Sequence, residues 1–262
     1  MLNYIKKSEC AQNALWAIVF IIIWQLFSTL NITNKYLLPP FSDVLIEMLH
    51  QISGGMFLRQ IVNSFIMIIS GFSVSIFLAA IIVILCNRFK VFESMIRAIC
   101  VILTPLPGVA VMPLIIMIFG IRENAMIVLM IHSVLWPLVI NLLGGIKAIP
   151  PIYTEFGLNL ELNSLEMVKS IYLFSLMPCI ISGLRIGWGR AWRALISAEM
   201  VFGMIGELGG IGYFIYTNRA YGNMTRVMVG VLAVIIMGIF IESFIFGVLE
   251  KMTIVKWGMK NE

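Results

Sequence analysis

The chain has 262 residues, of which 61% are hydrophobic and only 12% are charged, with a formal net charge of +5 at pH 7 and a mean hydropathy of +1.02. Soluble domains carry about 25% charged residues, so this composition predicts an integral membrane protein and excludes a large soluble domain. The positive charge does not indicate nucleic-acid binding, because the basic residues lie at the ends of apolar stretches, where membrane topology explains them.

Six apolar stretches are long enough to cross a bilayer, which requires about 20 residues. They comprise residues 14–30, a stretch within 61–86, residues 98–119, residues 125–143, a stretch within 176–202, and residues 227–249. Pro105, Pro107 and Pro113 predict that the third of them is kinked or broken. We therefore predict an all-α membrane protein with six transmembrane helices.

The lysines and arginines between the spans predict the orientation. If both termini are cytoplasmic, ten of these residues lie inside and five outside, leaving aside the three arginines of the fifth span. This distribution predicts a multi-pass protein of a bacterial cytoplasmic (inner) membrane with both termini in the cytoplasm. Residues 147–175 then form a cytoplasmic loop.

Two short helices are predicted in this loop. Pro150 and Pro151 end the fourth span and suit the first turn of a new helix, on which Tyr153, Phe156 and Leu160 form an apolar stripe. The two helices would form a knob to which a partner protein can bind. The alternative is an amphipathic hairpin that lies on the lipid surface.

Charge favours the docking interpretation of the loop. Only two lysines flank its three glutamates, Glu155, Glu161 and Glu166, whereas a lipid-bound hairpin would present a basic face. Asn163 followed by Glu166 three residues later forms the pattern of a capping box, which predicts the start of the second helix.

The fifth span carries four ionisable residues. On a helix, Arg185, Arg190, Arg193 and Glu199 spread over half the circumference, so some of them must face protein or a water-filled cavity. The arginines either attract an anionic substrate or pair with Glu199, Glu242 or helix carbonyls, and we favour the pairing.

Glycines mark two further places. Gly183 and Gly187 are spaced to allow close helix contact, either within one bundle or across a dimer axis. Downstream, the backbone freedom of a glycine-rich turn predicts a bent or re-entrant element near an outer gate, with a plain periplasmic loop as the alternative. This candidate outer gate comprises Gly209, Gly210, Gly212 and Tyr213.

Enzymatic chemistry is not expected of this chain. It contains no Gly-Lys-Ser/Thr pattern for binding nucleotide phosphates, and its four cysteines are scattered without metal-ligand spacing. We therefore expect that the chain itself binds neither a cofactor nor a metal.

The loop resembles the cytoplasmic EAA loop of permeases of ATP-binding-cassette (ABC) importers, most closely of the subgroup that imports sulfonates, taurine and nitrate. Glu155 matches the family's glutamate, Asn163 and Glu166 match its helix start, and Pro178 matches its final proline, all without a gap. This sequence departs from the family pattern at three places. Phe156-Gly157 replaces Ala-Ala, Glu161 replaces a glycine and Phe174 replaces a proline, and Asn159 or Asn163 is expected to take up the sharp turn.

Other segments extend the resemblance over about residues 37–257. They are Leu37-Leu38-Pro39-Pro40 before the second span, Thr104-Pro105-Leu106-Pro107 in the third, Gly183-Leu184-Arg185, Gly189-Arg190-Ala191-Trp192 and Ala198-Glu199-Met200 in the fifth, and Gly209-Gly210-Ile211-Gly212-Tyr213 after it. Each motif alone is weak, but their order and spacing are specific.

The resemblance implies a type I importer permease that forms the pathway for a small solute. It divides the chain into residues 1–36 (a cytoplasmic segment and the first helix), a permease core at 37–257 with its coupling loop at about 150–175, and a cytoplasmic tail at 258–262. Glu155 and its loop neighbours would bind an ATPase, Pro178 would begin a lever that includes the charged fifth span, and the glycine-rich turn would form the gate.

The implied partners are a second permease subunit, expected to be a second copy, two ABC ATPases that hold ATP and Mg²⁺, and an extracytoplasmic binding protein. The substrate stays open among small anions, sulfonates, nitrate, taurine, pyrimidine precursors and metal chelates. The alternative function is a stand-alone channel or an ion-driven transporter. It predicts matching broken helices in the two halves of the chain, and only the third span is broken by prolines.

Overall fold

The computed structural model describes residues 2–30, 34, 36–204 and 208–256, and all regular structure within them is helical. The predicted tail at 258–262 lies outside the described residues. The helices are α1 (Leu2–Thr29), α2 (Phe41–Ser53), α3 (Met56–Arg88), α4 (Lys90–Leu103), α5 (Gly108–Phe119), α6 (Glu123–Lys147), α7 (Pro151–Asn159), α8 (Ser164–Met167), α9 (Leu173–Phe202), α10 (Ile211–Ala220), α11 (Met224–Phe240) and α12 (Gly247–Glu250). Three π-helical segments, Val168–Tyr172, Ile241–Phe246 and Lys251–Val255, join or extend these helices.

Five helical runs are long and apolar enough to cross a membrane. They are Ala11–Thr29, Met56–Arg88, Glu123–Lys147, Leu165–Phe202 and Met224–Val255. A sixth span is present if α4 and α5 are counted together, although they meet at 105°. The prediction of an all-α membrane protein is confirmed, and so is the prediction that the third span is broken.

The break in the third span follows from its prolines. Thr104 ends α4, and Pro107 is extended (φ −62°, ψ 134°) at the position that caps α5. A residue before proline is disfavoured in the helical conformation, and proline lacks the amide that would continue the helix, so two prolines separated by one residue end α4. The observed α4 begins at Lys90, earlier than the predicted start at residue 98.

The chain forms two compact units, which we describe separately. The first contains the described parts of Met1–Asn63 and Glu199–Met237. Its buried core is Val44, Phe57, Phe214, Val229 and Ala233. The Phe57 and Phe214 rings pack with their centroids 4.5 Å apart, which holds the start of α3 against α10.

The second unit contains Ser64–Ala198 and the described part of Gly238–Asn261. Its core is built by α3, α4 and α6, and the buried members are Ala79, Cys86, Ile96, Cys100, Leu135, Leu138, Val139 and Leu143. A polar cluster lies beside this core, where Glu93 accepts from Arg97 at 2.7 Å and lies 2.9 Å from Lys147 Nζ. The pair between Glu93 and Lys147 joins the start of α4 to the end of α6.

Candidate functional site

Helix α7 begins where the sequence predicts. Pro150 is extended (φ −60°, ψ 136°) at the capping position, and Pro151 is the first helical residue. A proline suits this place because its fixed φ is helical and the first amides of a helix have no partner within the helix. The two prolines therefore separate α6 from α7 and set the start of the loop.

One face of α7 is apolar and open. Tyr153, Phe156 and Leu160 are 49%, 60% and 56% exposed, and Glu155 is exposed beside them. Leu160 lies one residue beyond the end of the helix, so the predicted stripe continues past its last turn. Large exposed apolar side chains flanked by a carboxylate are typical of a surface that binds a partner.

An adjacent face of α7 packs inside the second unit. Gly157 is buried, and a β-carbon added there would collide with the side chains of Met167 and Ile171. Both contacts lie in the segment that continues into α9. Glycine in place of the family's alanine therefore lets α7 approach this segment closely.

A sharp turn at Glu161 ends α7. The Glu161 amide donates to Leu158 O at 2.9 Å, and the Leu162 amide donates to Gly157 O at 3.1 Å. These two bonds form a Schellman motif, in which the turning residue adopts the left-handed conformation. Glu161 has φ 55°, so the expectation that Asn159 or Asn163 supplies the turn is wrong: the glutamate occupies the position itself.

The predicted capping box is present. Asn163 Oδ1 accepts hydrogen bonds from the Leu165 and Glu166 amides, both at 3.0 Å, and Glu166 Oε2 accepts from the Asn163 amide at 2.8 Å. The helix that starts here does not stay separate. It passes through the π-helical residues Val168–Tyr172 into α9, so the second loop helix is the beginning of the fifth span.

A groove of about 690 Å³ separates α7 from the facing parts of α6 and α9. Phe156, Phe174, Pro178 and Cys179 are among its lining residues, and none of the lining residues is charged. Pro178 lies inside α9, which continues as helix on both sides of it. In the lining of the groove, Gly145 of α6 lies against Cys179, so this end of α9 is also held by α6.

Arg185 pairs as expected for a structural role. Its Nε lies 3.0 Å from Glu242 Oε1, its Nη2 donates to Glu250 Oε2 at 3.1 Å, and its guanidinium lies 5.8 Å from the centre of the Phe246 ring. The pairing with Glu242 was predicted. Arg185 therefore joins α9 to the end of the last span.

Arg190 and Arg193 border a different feature, a cavity of about 400 Å³. Arg190 Nη1 donates to Thr104 O at 3.1 Å, which satisfies one carbonyl at the open end of α4. Among the residues that the structure describes, Arg193 has no hydrogen-bond or ion-pair partner, so the pairing favoured for all three arginines does not extend to it.

The two glycines of the fifth span pack within the chain. A β-carbon on Gly183 would lie 2.8 Å from Leu138 Cδ1, and one on Gly187 would lie 3.0 Å from Val134 Cγ1. Both contacts are with α6. The question left open by the sequence is thereby answered in favour of packing inside the bundle.

In the first unit, Glu199 organises the glycine-rich turn. Its side chain is buried, and Oε2 accepts from the Gly212 amide at 2.8 Å in the first turn of α10. A carboxylate at this place satisfies a helix amide and interacts favourably with the helix dipole. Gly210 is the capping residue of α10.

The turn is also held from α3. Asn63 donates to Gly209 O at 2.9 Å, and Gln60 donates to Leu208 O at 3.3 Å. Gly209 has φ 65°, and a β-carbon there would collide with the Tyr213 ring. Glycine is therefore required at Gly209 both by conformation and by space.

Gly108, Ser133 and Ser197 were not predicted from the sequence, and they line the cavity of Arg190 and Arg193 together with Thr104. The broken third span was the available signal, because a helix break frees backbone groups that must then be satisfied. Their grouping depends on how α4, α5, α6 and α9 pack, which a linear pattern does not specify.

Comparison with known proteins agrees with this architecture. Residues 52–252 match the family described as binding-protein-dependent transport system inner membrane component. A Bacillus subtilis protein named as an aliphatic sulfonates transport permease is 27% identical over 96% of this chain and 89% of its own length. The bicarbonate transport system permease protein of Synechococcus elongatus is 26% identical over 86% of this chain and 83% of its own length.

The nitrate import permease protein of a Synechocystis species is 25% identical over 93% of this chain and 90% of its own length. The family match covers most of the chain, including α3 to α12, the loop and the charged fifth span. The chain therefore belongs to the family of binding-protein-dependent transport system inner membrane components.

Proposed function

We propose that this chain is the permease subunit of an ABC importer, and that it forms the membrane pathway for a small solute. One observation carries the proposal: α7 presents an open apolar face and is also packed through Gly157 against Met167 and Ile171. A protein that binds the open face is thereby connected to the helix that continues as the fifth span.

The coupling surface consists of Tyr153, Glu155, Phe156, Leu160 and Glu161. An ATPase that closes on ATP and opens after hydrolysis would move this surface. Because Glu166 and Asn163 cap the start of the same continuous helix, displacement of α7 reaches the segment that contains Pro178. This mechanism provides a two-state element biased by nucleotide, which a coupling mechanism requires.

The complete transporter would contain a second permease subunit, two ATPases that hold ATP and Mg²⁺, and an extracytoplasmic protein that delivers the solute. ATP hydrolysis belongs to the ATPases. The proposed topology places both termini and α7 in the cytoplasm of a bacterial cell and the glycine-rich turn on the outer side, as the distribution of lysines and arginines predicts.

The substrate is proposed to be a small solute such as a sulfonate, nitrate, bicarbonate or taurine. Support comes from relatives named for sulfonate, bicarbonate and nitrate transport, which match nearly the whole chain. The arginine cavity, at about 400 Å³, lies near the lower end of the range typical of small-molecule pockets, about 300–1,000 Å³.

The test is assembly combined with transport. A charge on the open face, F156D, is expected to abolish co-purification of the ATPase while membrane insertion of the permease is kept. Y221D is the matched control, because Tyr221 is 83% exposed in the first unit and lies on the predicted outer side. Unchanged assembly of F156D, or solute uptake that survives ATP depletion, would contradict the proposal.

A further inference from the structure

The cavity beside the break in the third span has an unusual lining. It is bordered by Thr104–Val109, Ser133, Arg190, Arg193, Ala194 and Ser197. Two guanidinium groups and three hydroxyl side chains therefore face a space without a carboxylate among its lining residues. Every polar side chain of this lining can donate a hydrogen bond, and none carries negative charge.

The backbone adds positive potential to the same space. Gly108 and Val109 are the first two residues of α5, and both line the cavity. The first amides of a helix have no acceptor within the helix, and the helix dipole gives this end a partial positive charge of about +0.5. A half-helix that starts inside a broken span is an arrangement that binds anionic groups of substrates in other membrane transporters.

Two groups at the cavity lack partners. Arg193 is exposed and has no hydrogen bond or ion pair among the residues that the structure describes. The Thr104 hydroxyl is buried without a hydrogen-bond partner in the same part of the chain. An unpaired arginine within a membrane span is costly and is retained where it faces a substrate path or a water-filled cavity.

The lining is also compact. Gly108 admits no side chain, because an added β-carbon would lie 2.6 Å from Ser133 Oγ and 3.3 Å from the Ala194 β-carbon. Glycine therefore lets the start of α5 approach α6 and α9. Arg190 is held by its bond to Thr104 O, whereas Arg193 has no such bond among the described residues.

We infer that this cavity is a transient binding site for a small oxyanion, of the sulfonate, nitrate or carboxylate type, on the path through the permease. Arg193 supplies the charge, the Thr104 hydroxyl and the first amides of α5 supply hydrogen bonds, and Arg190 stabilises the broken end of α4. The inference deepens the proposed function and rests on it, because it assigns an anionic substrate to the pathway.

The experiment measures the potential in the cavity with a cysteine at Ser197. In the assembled importer, reconstituted in phosphatidylcholine nanodiscs, S197C is reacted with anionic sulfonatoethyl and cationic trimethylammonioethyl methanethiosulfonates. The parent protein is the blank for its native thiols. S175C is the matched control, since Ser175 lies on the same helix but lines the uncharged groove beside α7.

We expect S197C to react faster with the anionic reagent. The ratio of anionic to cationic rates should fall about fivefold in S197C/R193Q, since loss of a unit charge roughly 8 Å away in water-like surroundings changes the two rates by a little over twofold in opposite directions. S197C/R193K should keep the ratio, and S175C should not respond to R193Q. Excess methanesulfonate should slow the reaction of S197C at matched ionic strength, whereas neutral dimethyl sulfone should not.

The inference would be overturned if the two reagents reacted at equal rates or if methanesulfonate gave no protection. It would also be overturned if S197C were protected only in nanodiscs that contain phosphatidylglycerol, because a lipid headgroup would then occupy the cavity. An unreactive S197C would do the same, because it would show that the cavity is closed or that Arg193 is paired in the assembly. Failure of the importer assignment is distinct: it appears as absence of ATP-driven uptake by the unmodified complex, whatever the thiol rates are.

Discussion

The Leu162 amide donates a 3.1 Å hydrogen bond to the Gly157 carbonyl, and this bond closes α7 with Glu161 in the left-handed conformation at φ 55°. A residue with a β-carbon pays about 1–2 kcal/mol in this region, whereas glycine does not. The glutamate that replaces the family's glycine therefore preserves the geometry of the turn at an energetic cost. Glu161 also adds a carboxylate to the exposed surface at the end of α7.

Restoring glycine at this position should stabilise the turn. In E161G, stabilisation of the closed turn by about 1 kcal/mol corresponds to about fivefold slower hydrogen exchange at the Leu162 amide. Asn159 provides the control: it is the last helical residue of α7, so N159G should speed exchange, because glycine loosens a helix. Exchange in E161G that is no slower than in the parent would contradict the strained turn.

Filling Gly157 should disturb coupling while the chain remains inserted. The added methyl group of G157A collides with Met167 and Ile171, and overpacking of this kind costs about 1–3 kcal/mol. We expect reduced ATP-driven uptake by the assembled importer and partial recovery in G157A/M167A. G144A is the control, because a β-carbon at Gly144 has no described atom within 4 Å. Equal losses of uptake in G157A and G144A would show that the contact of Gly157 is not the coupling route.

Removing the Glu199 carboxylate should loosen α10. In E199A the Gly212 amide loses its acceptor, and an unsatisfied buried group costs about 1–3 kcal/mol. Hydrogen exchange across Ile211–Ala220 should accelerate strongly in E199A and less in E199Q, which keeps an acceptor oxygen. T217A is the control, because that hydroxyl bonds within α10, to Tyr213 O, and to no other described residue. Unaltered exchange in E199A would show that the carboxylate does not cap this helix.

The ion pair between Glu47 and Arg226 should make α2 sensitive to acid. Glu47 Oε1 lies 2.7 Å from Arg226 Nε. Partial burial raises the pKa of Glu47, but hydrogen bonds from Arg226 and Gln51 and the charges of Arg226 and His50 outweigh it, so the pKa lies below its ordinary value. The stabilisation is therefore complete above the range of an unfolded glutamate and is lost as pH falls through the lowered pKa.

Both partners are partly exposed, so the pair contributes about 1 kcal/mol or less. We expect E47Q to speed hydrogen exchange in Phe41–Ser53, corrected for intrinsic rates, at neutral pH. The difference from the parent should vanish as the pH falls through the lowered pKa of Glu47. R226Q should behave alike, and E47Q/R226Q should show less than the sum of the single effects. A difference between E47Q and the parent that persists unchanged in acid would contradict the pairing.

Local patterns were predictable from the sequence, and contacts between distant segments were not. The Asn163 and Glu166 cap was predicted because both partners lie within one turn of helix. The role of Glu161 was not, because a glutamate carries no signal for the left-handed conformation, and asparagines on either side are more tolerant of it.

The arginines show the same limit. Helical spacing predicted that Arg185, the two other arginines of the fifth span and Glu199 cannot all face lipid, but it did not predict which group each would contact. Arg185 pairs with the predicted Glu242, and Arg190 donates to a helix carbonyl as predicted, but that this carbonyl is Thr104 O, freed by the break after α4, was not predictable. The cavity lined by Arg190 and Arg193 forms where four helices pack together, and only its proline-rich border was predictable from the sequence.

The central claim is that α7 is the surface through which an ATPase drives this permease. Its most direct test is photo-crosslinking in intact cells with benzoylphenylalanine at Phe156, followed by mass-spectrometric identification of the adduct, with Tyr221 as the control position. We predict an adduct with an ABC ATPase at Phe156 and none at Tyr221. Adducts with lipid alone at Phe156 would show that α7 lies on the membrane surface, and would contradict the account.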